Sequence, residues 1–135
     1  MIKLVYCLRR REDVATEDFY RYWLAEHAPK VHGVAASIGA IRYVQSHTCA
    51  PEMNRLLQES RGLADPYDGI TEVWWDSEEA MAAAIATAEG AAAMQMLLDD
   101  ESTFIDFSRS TVFMTEEKEI FNSIPKAAAP AQGEL

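Results

Sequence analysis

The chain has 135 residues, a length suited to one domain with a core large enough to fold without disulfides or a structural metal. Its 22 acidic and 12 basic residues leave a net charge of -10, which repels nucleic acid and anionic lipid and argues against both as partners. No apolar run is long enough to span a bilayer, no leader pattern stands at the N-terminus, and Cys7 and Cys49 are too few for a disulfide framework, so free thiols in the cytoplasm are expected.

Ile2 to Leu8 reads as a first strand, and Arg9-Arg10-Arg11 as a solvated turn after it, with a weaker role in attracting an anionic substrate. Thr16 is placed to cap a helix whose first turn carries Glu17 and Asp18. On that helix Phe19, Trp23 and His27 succeed one another at four-residue spacing, with Tyr22 flanking them on the same broad face. Pro29 biases Ala28 away from helical dihedrals, which puts His27 in a last turn where the carbonyl end of the dipole favours a protonated ring. Such a stripe marks either a ligand site or plain core with a hydrogen-bonded histidine at its edge.

A second helical piece runs from Pro29 to about Gly39, and a second strand from Ala40 to Thr48 alternates Ile41, Tyr43 and Gln45 with Arg42, Val44 and Ser46. Residues 50–68 form a long connection with a short helix carrying Met53, Leu56 and Leu57, either a lid or a cover for a sheet edge. The third strand is Ile70 to Trp75. Asp76 and Glu79 then have capping-box spacing ahead of an alanine-rich helix that Gly90 interrupts and Met94, Leu97 and Leu98 continue. Asp99-Asp100-Glu101 sits badly at the negative end of that helix and calls for solvent, a capped turn at Asp100, or a cation such as Arg109. A fourth strand spans Ile105 to Met114. The domain closes near residue 117, and 118–135 form a C-terminal extension whose tail from Ile124 onward is expected to lie against the body or a neighbouring subunit.

The order strand, helix, strand, strand, helix, strand is that of a ferredoxin-like α+β fold, a four-stranded antiparallel sheet with helices on one face and the first and third strands at its centre. Leu4 to Leu8, Val73-Trp74-Trp75 and much of Phe104 to Met114 are apolar on both parities. A second copy of the sheet is the simplest cover, giving a homodimer closed like a barrel.

Several runs together resemble the EthD family: Ile2 to Tyr6, Phe19-x-x-Tyr22-Trp23-x-x-x-His27-Ala28-Pro29, Tyr67-Asp68-Gly69-Ile70-x-Glu72-x-Trp74, and Asp100-Glu101-x-x-Phe104-Ile105-Asp106 with Ser108 and Ser110. The resemblance covers Met1 to about Glu117; the long connection between strands two and three and the extended tail depart from shorter members. It implies a dimeric α+β barrel, and a small cofactor-free enzyme of catabolism or polyketide-type metabolism acting on an aromatic or hydrophobic organic molecule. His27 would be the general acid or base of dehydratase-, cyclase- or decarboxylase-like chemistry, with metal-free oxidation as a variant.

In that reading Tyr22 and Trp23, with Tyr6 and Trp74, form the substrate-binding wall. Glu72, Asp106 and Tyr43 are candidate partners for His27, being polar on otherwise apolar strands, and each is equally readable as a structural hydrogen-bonding residue. His32 and His47 are expected to be structural or exposed. There is no HExxH, paired CxxC, phosphate loop or GxSxG elbow, and no metal-ligand spacing among the histidines. Two rival readings are a non-catalytic protein that binds a hydrophobic metabolite, and a haem-binding barrel recognisable by a Soret band.

Overall fold

The computed structural model describes residues 1–126. Its elements are β1 (Ile2–Leu8), α1 (Thr16–Tyr22), a π-helical segment (Trp23–His27), α2 (Ala28–Ile38), β2 (Arg42–His47), α3 (Pro51–Arg61), β3 (Gly69–Trp75), α4 (Glu78–Ile85), α5 (Ala88–Glu101) and β4 (Thr111–Thr115). The four strands pair antiparallel in the order β2-β3-β1-β4, with β1 and β3 central as the ferredoxin-like order requires. Register places Leu4 and Tyr43 opposite Val73, and Tyr6 opposite Thr71. Because side chains alternate across a pleat, these residues share the inner face with Leu8 and Trp75, and α2 and α5 pack over them. No single helix among the described residues is long and apolar enough to cross a membrane.

The helix expected to end after His27 does not end there. Ala28 is helical at φ -55, ψ -43, and the chain runs on through Pro29 into α2. A proline ring normally clashes with the carbonyl four residues back; here the Ala28 N–H donates to Trp23 O, five residues back, and the widened turn accommodates the ring without a break. His27 therefore has no helix C-terminus beside it, and the expected dipole effect on its charge is absent. Thr16 is the first helical residue and Ala15 the cap, without a side-chain bond.

The alanine-rich stretch is two helices bent by 91°. Ser77, not Asp76, caps α4 by accepting from Ala80 N–H, and Thr87 caps α5 by accepting from Gly90 N–H. The break thus falls before Gly90. Gly90 is required there because a Cβ at this position would collide with the Ala84 carbonyl, where the end of α4 crosses the start of α5.

The 50–68 connection contains α3, whose Met53, Leu56 and Leu57 are exposed, and none of its residues faces the cavity described below. The fourth strand is shorter than expected. Ile105 makes an isolated bridge to Arg10, Asp106 caps a 3-10 turn over Phe107–Arg109, and pairing resumes only at Thr111. The arginine turn is not simply solvated: Arg9 donates to Pro66 O and Asp65 O, Arg10 to Val14 O, and Arg11 to Ser102 O, which ties loops together. Residues 119–126 are exposed in the single chain, with Phe121 at 82%; the tail beyond 126, on which most of the docking expectation falls, lies outside the described residues. Cys7 and Cys49 are free.

Candidate active site

Between the inner face of the sheet and α5 lies a cavity of about 550 Å³, a size that suits a small organic molecule. Leu4, Leu8, Val73, Trp75 and Leu97 give it apolar walls, and Tyr6, His27, Tyr43, Thr71 and Glu101 are polar groups set into them. Among the described residues no lysine or arginine lines it, and no cluster of His, Cys, Asp and Glu is arranged to hold a metal ion.

His27 and Trp23 are both buried on the π-helical segment, His27 at 5% exposure. Trp23 is held from three sides: the His47 ring stacks on it at 4.4 Å, Gln45 donates to its carbonyl at 2.8 Å, and its six-membered ring lies where Gly69 has no Cβ. A Cβ on Gly69 would come within 2.5 Å of that ring. The glycine of β3 is thus what lets this helical segment press its tryptophan onto the sheet, and His27 follows one turn later with Phe104 against its edge at 5.1 Å.

His27 Nδ1 lies 2.6 Å from Asp100 Oδ2. Asp100 is buried at the end of α5 yet held below the ordinary carboxylate range, because Lys30, Tyr22 and His27 hydrogen bonds outweigh its desolvation. An ionised carboxylate only accepts, so Nδ1 carries the proton and Nε2 keeps its lone pair. Arg10 Nε is the only buried side-chain polar atom without a partner among the described residues, so Nε2, which no protein group bonds, retains contact with open space. Burial pushes the imidazole below its ordinary value, against the opposing pull of Asp100. The result is a neutral imidazole of fixed tautomer with a free basic nitrogen on the cavity wall.

The carboxylate that orients His27 is thus Asp100, and the three partners expected from the sequence do not perform that task. Glu72 is on the outer face of the sheet, paired with Lys3 at 2.7 Å. Asp106 caps its 3-10 turn and pairs with Arg109 at 2.8 Å, which also removes Arg109 as the cation for the acidic run. Both look inward in a strand pattern, but pleat parity sends Glu72 outward and the turn removes Asp106 from the sheet altogether. Tyr43 does reach the cavity; its hydroxyl accepts from Gln45 at 2.7 Å, and burial pushes its ionisation up to about 12.

Of the expected wall residues, Trp23 and Tyr6 line the cavity, whereas Tyr22 and Trp74 do not. The Tyr22 hydroxyl donates to Asp100 and its ring packs on Phe104, so it supports the dyad from behind. Trp74 is on the outer face beneath Lys3 and Arg42, at 5.4 and 4.4 Å from its ring, and donates to Glu117. Lys30, which donates to Asp100 Oδ1 at 2.7 Å, had no signal in the sequence beyond its helical position eight residues after Tyr22. Asp100 did: its acidic run at the wrong end of a helix demanded compensation, and His27 and Lys30 supply it.

Glu101, adjacent to Asp100, faces the cavity instead. Burial raises its carboxyl to about 7, and the Tyr6 hydroxyl on the same wall is raised by burial and by the nearby Glu101 charge.

Comparison with known proteins agrees with this architecture. A structure of an ethyl tert-butyl ether degradation (EthD) family protein from Bacillus halodurans superposes with a TM-score of 0.58 at 22% identity, covering 87% of this chain and 99% of that one. A dimeric protein of ferredoxin-like fold from Bacteroides fragilis gives 0.54 at 11% identity over 86% and 95% of the two chains. SnoaB, a cofactor-independent oxygenase from Streptomyces nogalater, gives 0.51 at 11% identity over 87% and 93%. No curated protein sequence matches the chain. The EthD domain model matches residues 11–108, which contain the His27–Asp100 dyad and most of the cavity wall, and the chain belongs to the EthD family.

Proposed function

We propose that this protein is a small-molecule enzyme that admits a flat, largely apolar organic compound into the cavity and removes a proton from it with His27 Nε2. One observation carries the reading: a buried imidazole whose Nδ1 lies 2.6 Å from the Asp100 carboxylate lines an apolar cavity of about 550 Å³. A general base of this kind contributes about two to four orders of magnitude in rate. Trp23 and Tyr43 would flank the guest, and no bound cofactor is needed for proton abstraction. SnoaB, named as cofactor-independent, shares the fold, which supports chemistry run by side chains and substrate alone. The enzyme would act as a homodimer joined through the outer sheet face and β4, where Val112, Phe113 and Met114 are exposed.

The test uses 2-tetralone, a neutral bicyclic ketone, whose α-protons exchange in D2O at a rate read by NMR. Wild-type protein should accelerate exchange, and His27→Ala should return it to the buffer rate. Equal exchange by both proteins sinks the proposal. Sedimentation at micromolar concentration tests the dimer, which a stable monomer would exclude.

A further inference from the structure

Resting on that reading, we infer that Glu101 is the acid that faces the substrate's oxygen, and that the substrate is therefore a neutral carbonyl compound or phenol and not a carboxylate or phosphate. Two facts of placement carry this. Glu101 is the carboxyl group among the residues lining the cavity, on the turn of α5 next to the residue that holds His27, so base and acid open into one chamber. The same lining has no lysine or arginine among the described residues, so nothing in it would neutralise an anionic guest.

The groups that face Glu101 fit the assignment. Tyr6 on β1 and Tyr43 on β2 lie within range of its charge, burial disfavours the charged form of His27 on the π-helical segment, and the Asp100 charge repels ionisation of Glu101. Lys30 on α2 is committed to Asp100 and Tyr22. With its ionisation raised to about 7, Glu101 is largely protonated at pH 6 and shares its population between the two forms near pH 7. A protonated carboxyl in an apolar site donates a hydrogen bond where a carboxylate only accepts.

The step is an enolisation. His27 Nε2 takes the α-proton, the C–H electron pair moves to form a C=C bond, the carbonyl π pair moves onto oxygen, and the Glu101 O–H donates to that oxygen as charge develops. Return of the proton from His27 to carbon restores every group, and no oxidant is consumed.

Two variants and one pair of probes test it. Glu101→Leu should slow 2-tetralone exchange by about 10²–10³-fold, the usual loss when one donor to a developing oxyanion is removed. Glu101→Gln, which keeps a neutral donor, should recover much of that loss while the NMR titration of His27 stays as in wild type. Wild-type protein should bind 2-naphthol at least tenfold more tightly than 2-naphthoate at pH 6, and the preference should widen at pH 8 as Glu101 ionises; in Glu101→Gln it should not change with pH. Glu101→Leu exchanging at the wild-type rate, naphthoate binding as well as naphthol, or neither probe binding overturns the assignment. Loss of exchange in His27→Ala with none in Glu101→Leu would remove the acid and leave the base; wild-type exchange in His27→Ala would remove the base reading itself.

Discussion

The two faces of one sheet treat polar groups in opposite ways. On the outer face Lys3 and Glu72 pair across neighbouring strands at 2.7 Å, and Lys3, Arg42 and Glu117 close over Trp74. On the inner face Tyr6, Tyr43, His27 and Glu101 sit in an apolar wall with bonding capacity left toward the cavity, and burial shifts each away from its charged form. A charge met by its counter-charge is chemically spent. A group whose charged form is disfavoured by burial is poised to exchange a proton, because that form gains from whatever the substrate brings.

The largest effects should come from what presses the helices onto the inner face. Phe19 and Trp23 are 0% and 1% exposed, so truncating either to alanine should cost about 3–5 kcal/mol in a denaturant titration. Asp100→Asn should come close behind at about 3 kcal/mol, since it leaves His27, Lys30 and Tyr22 arranged around a missing charge. It should also free the His27 tautomer, which 15N shifts would report. An unchanged His27 spectrum in Asp100→Asn would break the contrast between the faces. Gly69→Ala should cost about 1–3 kcal/mol, because its methyl enters the space of the Trp23 ring while β3 cannot move without β1 and β2.

A finer probe is pH. Glu101 binds its proton more tightly folded than unfolded, so its contribution favours the folded state below about pH 4.5 and is lost as pH rises to about 7, at up to about 1.4 kcal/mol per unit. His27, whose folded value lies below its ordinary 6.5, contributes in the opposite sense: stability present above that value is lost as pH falls through the window below it. The two slopes oppose each other where they overlap. Glu101→Gln should expose the His27 slope, making the variant gain stability over wild type from pH 5 to pH 8, as thermal melts would show. Parallel profiles would mean that Glu101 is not desolvated.

Much of this architecture can be read from local pattern. The element order and the turn residues suffice for the topology, and the aromatic stripe for placing His27 on the helical face that meets the cavity. The partner of His27 was hidden for a different reason. Asp100 is 73 residues away, and its approach depends on how α5 packs against α2, which no local pattern reports. Trp74 and Trp75 are adjacent and equally apolar, and only the register of β3 against β1 decides which of them faces the cavity. The π-helical turn that carries the chain helically through His27 and Ala28 conflicts with the local rule that the residue before a proline leaves the helix, and tertiary packing of Trp23 against Gly69 is what favours it.

The smallest expected effect tests whether the outer face is really a surface. The Lys3 and Glu72 side chains are 16% and 24% exposed in one chain, Glu117 lies 3.9 Å from the same ammonium, and a surface pair of this kind contributes about 0–1 kcal/mol. Glu72→Gln should therefore shift the midpoint of unfolding little when the protein is dilute. If a second copy covers this face, the same change leaves Lys3 buried beside Trp74 with only the more distant Glu117, and the loss should grow with protein concentration as dimer replaces monomer. Melts of Glu72→Gln at micromolar and at tenfold higher concentration separate the two cases. A difference from wild type that is small at both concentrations would leave the outer face in water and place the dimer contact elsewhere.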